Sequence, residues 1–127
     1  MGNESKNKKK NDNKLDIVKE SFENGLTYEG ELKDGEWCGQ GILISHPDGF
    51  HYEGKFKNGA PHGYGAVLIR DNHRYEGQFK NGVKDGKGIL ISPDGDRYEG
   101  HFKNDIQNGL GTYKWSDGRI HEGQFKN

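Results

Sequence analysis

Several side-chain types in this sequence could do chemistry, and the first is histidine, which can bind metals or carry protons. The six histidines are His46, His51, His62, His73, His101 and His121. Structural zinc sites need four Cys or His ligands at characteristic spacings, and these histidines with the single cysteine, Cys38, provide no such set. We therefore expect histidines in turns or facing solvent, and the sequence predicts no metal site.

Carboxylates are the second candidates for chemistry. A glutamate recurs immediately before a glycine at Glu29, Glu53, Glu76, Glu99 and Glu122. Acid–base catalysis requires one carboxylate to be perturbed differently from its neighbours, and a row of equivalent sites indicates a structural role instead. The Gly39-x-Gly41 motif and its copies also lack the lysine and the helix of a phosphate-binding loop. The sequence therefore predicts no enzyme and no cofactor.

The elements that position these residues follow from a repeat of 23 or 24 residues. Its copies start at Tyr28, Tyr52, Tyr75, Tyr98 and His121. Each continues with Glu-Gly, and a lysine follows five residues after the start, at Lys33, Lys57, Lys80, Lys103 and Lys126. An Asp-Gly or Asn-Gly turn, replaced by Asn104-Asp105 in one copy, then separates this segment from a Gly-x-Gly motif and, in most copies, a short apolar run. Two strand-length segments around such a turn predict a β-hairpin.

Alternation along a strand decides which side chains share a face. Tyr75, Gly77 and Phe79 fall on one face, whereas Glu76 and Lys80 fall on the other. Stacked hairpins would align the aromatic residues into a stripe, with the glycines leaving room for rings from neighbouring strands. The pattern predicts a single-layer sheet, with equal rows of Glu and Lys that pair across strands on the opposite face.

The repeated pattern YEGxFKNGxxHGxGxxxxxDG resembles the MORN repeat (membrane occupation and recognition nexus) over residues 28–127. Copies depart from it at Leu32, Cys38, Asp85, Asp105 and His121. The resemblance implies an all-β fold, an elongated single-layer antiparallel sheet of stacked hairpins with a groove. It also implies an adaptor in the cytoplasm, at membranes, or on cytoskeletal or ciliary structures. Phospholipid binding, partner binding in the groove and dimerisation are the roles linked to such repeats.

Composition divides the chain into three parts. Residues 1–14 form a basic tail of net charge +3, residues 15–27 are expected to be a capping strand or a half repeat, and residues 28–127 are the repeat domain. Only 28% of residues are hydrophobic and 21 of 127 are glycine, which excludes a bulky core. No apolar run could span a membrane or serve as a secretory signal, and a lone cysteine fits a reducing compartment. We therefore expect a cytoplasmic protein.

Partner binding by the repeats and self-association of the sheet follow as hypotheses. A protein helix or extended peptide is expected along an aromatic groove formed by Tyr28, Tyr52, Tyr75, Tyr98, Phe56, Phe79, Phe102, Trp37, Tyr64 and Trp115. For most of these rings, packing within the sheet is the competing role. Sheet edges offer a route to homodimers. The mildly acidic repeat domain argues against nucleic acid.

The alternative function is a peripheral membrane tether. Gly2 begins a near match to a myristoylation signal, although Ser5 is followed by Lys6 where the signal has Ser or Thr. An acyl chain together with Lys6, Lys8, Lys9 and Lys10 would make a two-part anchor for an anionic membrane. A tail without this function is the other interpretation of the same residues.

Overall fold

The structure, a computed structural model, describes residues 16–46, 49–69 and 72–126. Ten strands form one antiparallel sheet in which each strand pairs with the next along the chain. They are β1 Asp16–Ser21, β2 Leu26–Lys33, β3 Glu36–Ser45, β4 Phe50–Lys57, β5 Ala60–Ile69, β6 His73–Lys80, β7 Val83–Ile91, β8 Arg97–Lys103, β9 Ile106–Lys114 and β10 Ile120–Phe125. This single open sheet confirms the fold predicted from the repeat.

Tight turns join the two strands of each repeat. The first turn residue has a left-handed backbone, with φ between 49° and 52° at Asp34, Asn58, Asn81 and Asn104. The residue that follows also has positive φ, as a type I′ hairpin turn requires. Asp105 takes the second position at φ 73°, where the other turns have glycine, and its carboxylate accepts a hydrogen bond from the Lys84 amide at 2.8 Å.

Hydrogen bonds also join the tips of successive hairpins. The second turn residue of one hairpin donates its amide to a carbonyl of the preceding hairpin, from Gly59 to Trp37, Gly82 to Pro61 and Asp105 to Lys84, at 2.9–3.0 Å. Beside these bonds, His62 accepts from the Asn81 amide and Asp85 accepts from the Asn104 amide. Asp85 therefore accepts a hydrogen bond equivalent to the one that His62 accepts in the preceding repeat.

The Gly-x-Gly motif has two different structural roles. Its first glycine adopts positive φ, from 59° at Gly39 to 107° at Gly86, where the strand pairing shifts by a bulge. Its second glycine lies under a tyrosine ring: a Cβ at Gly88 would approach ring atoms of Tyr75 within 2.5 Å. The first glycine sets the register, and the second leaves room for the ring. The room expected for a ring from the neighbouring strand is thus provided by this second glycine and not by the glycine that follows Tyr-Glu.

The core is a continuous zigzag of aromatic rings on one face of the sheet, which we call the tyrosine face. Rings alternate between tyrosine and phenylalanine, each at nearly right angles to the next, with centroids 4.9–5.2 Å apart. The series is Tyr28, Phe56, Tyr52, Phe79, Tyr75, Phe102, Tyr98 and Phe125. Each edge-to-face pair contributes about 0.5–1.5 kcal/mol beyond its buried area. A single layer can therefore be held together without a second layer.

Candidate interaction surface

The four tyrosines of the tyrosine face are buried. Tyr28, Tyr52, Tyr75 and Tyr98 are at most 1% exposed, and each hydroxyl donates to the backbone carbonyl three residues further on, at 2.7–2.9 Å. Burial raises the pKa of Tyr28 and Tyr52 to about 12. Because each hydroxyl is hydrogen-bonded within the chain and each ring is buried, these four side chains are not exposed for contact with a partner.

The predicted aromatic groove is therefore not formed by these residues. The four tyrosines and Phe56, Phe79 and Phe102 are the core of the sheet, with exposures of 0–8%. They are buried because each tyrosine lies across a glycine of the next strand and is flanked by the phenylalanines of adjacent repeats. Packing, the competing role, is the one that the structure supports.

The two tryptophans are half-buried and sit towards the two ends of the sheet. Trp37 stacks on Tyr28 with ring centroids 4.5 Å apart, and its indole nitrogen donates to Glu20 at 3.0 Å. Trp115 packs against Tyr113 and lies under the guanidinium of Arg119. Both rings are engaged within the chain, so the structure does not bring them together with Tyr64 into one site.

The opposite face, which we call the outer face, carries rows of side chains running across the strands. The central row alternates a carboxylate with a smaller or apolar residue: Glu29, Ile42, Glu53, Ala66, Glu76, Ile89, Glu99, Thr112 and Glu122. The predicted pairing of this glutamate row with the lysine row is wrong. The glutamates and lysines of these two rows lie on the same strands, the first of each hairpin, and the intervening strand places an apolar residue or a threonine opposite each glutamate. Glu29 has Lys19 opposite it on its other side.

The glutamates find basic partners on their own strands instead. Glu76 pairs with Arg74 at 3.4 Å and Glu99 pairs with Arg97 at 3.2 Å. These side chains are 41–60% exposed, and exposed pairs of this kind contribute about 0–1 kcal/mol. The carboxylates are therefore held in place only weakly and are accessible to another cation.

An open groove of about 660 Å³ lies on the outer face. Its lining comes from six consecutive strands, β5 to β10, so its long axis runs across the strands. The groove contains Tyr64 and Leu110, which are 61% and 59% exposed, with Ile89 between them in chain order. Large apolar side chains so exposed in one groove are typical of interaction surfaces.

The groove also has charged side chains of both signs. Glu76, Glu99 and Glu122 line it together with Lys87 and His101. Two of these carboxylates pair with Arg74 and Arg97 on their own strands. The groove therefore combines apolar contact area with polar groups of both signs.

Other predicted sites have different outcomes. Among residues 16–46, 49–69 and 72–126, no group of His, Cys, Asp and Glu side chains is arranged to bind a metal. Burial raises the pKa of the Cys38 thiol, which disfavours the nucleophilic thiolate. Gly2, Lys6, Lys8, Lys9 and Lys10 lie outside the described residues. Within the part of the chain that the structure describes, no helix is long and apolar enough to cross a bilayer.

These features define the class of the protein. It is a repeat protein whose hairpins stack into one open antiparallel sheet, with a buried aromatic core on the tyrosine face and a groove on the outer face. The family model for the MORN repeat matches residues 28–46, 52–67, 75–97 and 98–118, which together make more than half of the chain. The chain therefore belongs to the MORN-repeat family, as its sequence pattern indicated. No curated protein gives a significant match. The MORN repeat is generally a non-catalytic module that takes part in protein or membrane interactions.

One residue of this groove, Tyr64, was predicted as a partner-binding residue, but in a groove shared with the tyrosines, which lie on the opposite face. Leu110 and Ile89 were not predicted as site residues, and the glutamates were expected to have a structural role. Strand alternation is the sequence feature that could have located this face, because residues between the two glycines of a Gly-x-Gly motif face away from the tyrosines.

Proposed function

We propose that this chain is a non-catalytic adaptor that binds a protein segment in the groove of the outer face. The sites at which it works are cytoskeletal, ciliary or membrane-associated structures, as the family resemblance implies. The observation that carries the proposal is the pair of exposed side chains, Tyr64 and Leu110, in one groove.

The composition of the groove favours a protein segment over a phospholipid headgroup. Aromatic and aliphatic side chains supply contact area, and the carboxylates supply polar partners at the side of the groove. The charged groups at the groove are balanced, because Lys87 lines it and Arg74 and Arg97 pair with two of its glutamates, so it has no basic cluster to attract an anionic headgroup. The basic cluster of the membrane-tether alternative lies in residues 1–14.

The test is affinity capture from cell extract with the full chain, followed by mass spectrometry. Capture with the wild type is compared with capture by the double variant Tyr64→Ala, Leu110→Ala. The matched control is Ile106→Ala, which truncates a side chain that is 44% exposed and lies outside the groove. Thermal unfolding of all three proteins checks that each remains folded.

The proposal expects a specific protein that the double variant loses and the control retains. A protein captured equally by all three forms would show that the groove is not the binding site. Cosedimentation with phosphatidylserine vesicles provides a second arm. Vesicle binding that the double variant abolishes would assign the groove to lipid and end the adaptor proposal.

A further inference from the structure

We infer that the hairpin tips form a basic edge of the sheet, and that the protein segment bound in the groove carries acidic residues on the side facing this edge. The inference rests on the proposed function and specifies the charge of the partner segment. The juxtaposition behind it is a row of exposed, unneutralised lysines beside the exposed Tyr64 and Leu110.

The tip edge consists of the hairpin turns from β4 onwards, together with the strand residues next to them. It comprises residues 55–64, 78–87, 101–110 and 124–126. These segments contain seven lysines and two acidic residues, Asp85 and Asp105, which gives a net charge of +5 with the histidines neutral. The whole sequence has a net charge of −1, so basic residues are concentrated at the tip edge.

One lysine of the tip edge has a carboxylate partner within the described residues. The Lys84 ammonium lies 3.5 Å from the Asp105 carboxylate. The Asp85 carboxylate accepts a hydrogen bond from the Asn104 amide instead. No other described carboxylate lies within 4 Å of a lysine at this edge. The remaining lysines, all exposed, are Lys55, Lys57, Lys80, Lys87, Lys103 and Lys126.

The strand register explains why these charges are not neutralised. The lysine that ends the first strand of each hairpin faces an apolar residue across the turn. The pairs are Lys57 with Ala60, Lys80 with Val83 and Lys103 with Ile106. In the middle of the outer face, by contrast, Glu76 and Glu99 each have an arginine partner on their own strand. Charge is therefore balanced in the middle of this face and unbalanced at the tip edge.

The spacing of the lysines makes their potentials overlap. The four from Lys57 to Lys126 that end or directly follow alternate strands repeat at about 9.6 Å, because neighbouring strands lie about 4.8 Å apart. The midpoint between two such lysines is about 4.8 Å from each, within the Debye length of about 8 Å at physiological ionic strength. The tip edge therefore has a continuous positive potential, which attracts an anionic ligand.

Exposed apolar side chains beside the lysines favour a protein segment as this ligand. Tyr64 and Leu110 belong to the tip edge and also line the groove, as does Lys87. A segment in the groove can contact the apolar side chains and place carboxylates next to the lysines on one side. A flat bilayer that touched the tip edge would meet the lysines without lying along the outer face, where Tyr64 and Leu110 are exposed.

The experiment measures the affinity of the full chain for labelled synthetic peptides by fluorescence anisotropy. The three peptides, each about ten residues long, alternate serine with glutamate, lysine or glutamine. We expect the glutamate peptide to bind about tenfold tighter or more than the other two at low salt. Its affinity should fall about fivefold or more in about 0.5 M sodium chloride, because exposed charges are screened.

Two double charge reversals locate the site. Lys80→Glu, Lys103→Glu reverses two lysines of the tip edge and is expected to weaken binding of the glutamate peptide about fivefold or more. Lys19→Glu, Lys114→Glu is the matched control, because it reverses two exposed lysines outside the tip edge and lowers the net charge equally. The control should weaken binding by no more than about twofold. Circular dichroism and thermal unfolding confirm that both variants are folded.

Four results would each overturn the inference. They are equal binding of the glutamate and lysine peptides, equal losses in the two double variants, no binding of the glutamate peptide, and a captured partner that the tip-edge variant retains. Phosphatidylserine vesicles provide a further arm. Vesicle binding that the tip-edge variant loses, with no binding of the glutamate peptide, would assign the edge to a membrane and not to a protein.

The adaptor proposal is judged separately by the double variant Tyr64→Ala, Leu110→Ala in the capture assay. If that variant loses a protein that Ile106→Ala retains while the glutamate peptide fails to bind, the adaptor stands with a segment of different charge. If both assays fail, the proposed function falls as well.

Discussion

Tyr75 and Tyr64 lie on neighbouring strands, β6 and β5, but the first is fully buried and the second is 61% exposed. Tyr75 lies across Gly88 and between Phe79 and Phe102, and its hydroxyl is bonded to a backbone carbonyl. Tyr64 faces Gln78 on the outer face and has no aromatic partner on either side among the described residues. In this single-layer sheet, a tyrosine ring is buried where the neighbouring strands carry a glycine and further rings, and it is exposed where they do not.

One layer can therefore have a buried core on one face and accessible apolar side chains on the other. On the tyrosine face, rings cover one another from repeat to repeat, which gives a repeat array its stability between neighbours. On the outer face, long polar side chains alternate with small or apolar ones, so apolar groups remain accessible. The core and the proposed binding surface lie on opposite faces, so variants on the two faces should differ in their effect on stability.

The largest expected effect is on the tyrosine face. Tyr75→Ala removes a fully buried ring with two edge-to-face contacts and one hydrogen bond, and should lower the free energy of unfolding by about 3–5 kcal/mol. Urea denaturation followed by circular dichroism measures it. A loss under 1 kcal/mol would mean that the ring ladder does not hold the sheet together.

Adding a single methyl group under the ring should cost less. Gly88→Ala places a Cβ within 2.5 Å of Tyr75 ring atoms, and overpacking of this kind costs about 1–3 kcal/mol. A double-mutant cycle with Tyr75→Leu tests the cause, because a smaller side chain relieves the clash. If Gly88→Ala is equally costly in both backgrounds, the ring is not the reason for the glycine.

Alkaline pH should weaken the same face through ionisation of its tyrosines. Burial raises the pKa of Tyr52 to about 12, whereas an unfolded tyrosine ionises near 10. Between these values the unfolded state releases the proton and the folded state keeps it, so stability falls as pH rises from 10 to 12. The slope approaches about 1.4 kcal/mol per pH unit for each such tyrosine.

The control for this prediction is Tyr52→Phe, which cannot ionise. Denaturant unfolding at several pH values should give a shallower alkaline slope for the variant than for the wild type, even though loss of the hydroxyl lowers its stability at neutral pH. Identical slopes would show that Tyr52 is not protected from ionisation.

The smallest effect is expected on the outer face. Tyr64→Ala and Leu110→Ala truncate exposed side chains, and each should change the free energy of unfolding by no more than about 0.5 kcal/mol. Thermal and urea unfolding check this against Tyr75→Ala. A large destabilisation by either variant would mean that the groove residues belong to the core and would erase the contrast between the faces.

The repeat in the sequence was enough to predict the fold. Tyr-Glu-Gly recurring at 23 or 24 residues, Asn-Gly turns and strict alternation specify hairpins and their faces without any tertiary information.

Which face carries exposed apolar side chains could not be predicted from the sequence, for a physical reason. Alternation shows that Tyr75 and Glu76 lie on opposite faces, but not that Tyr75 is covered completely by rings from other repeats. The partner of each glutamate was also hidden, because the two-residue shift in pairing at Gly39 and its equivalents depends on backbone geometry. The groove, with its row of carboxylates, becomes visible only once that register is known.

The most direct test of the division between the faces is site-specific photocrosslinking of the full chain in cells. A photoreactive phenylalanine analogue is placed either at position 64 in the groove or at position 37, where Trp37 is half-buried against the tyrosine face. The account predicts a discrete crosslinked protein from position 64 and none from position 37. A crosslink from position 37 without one from position 64 would place the partner on the tyrosine face and contradict it.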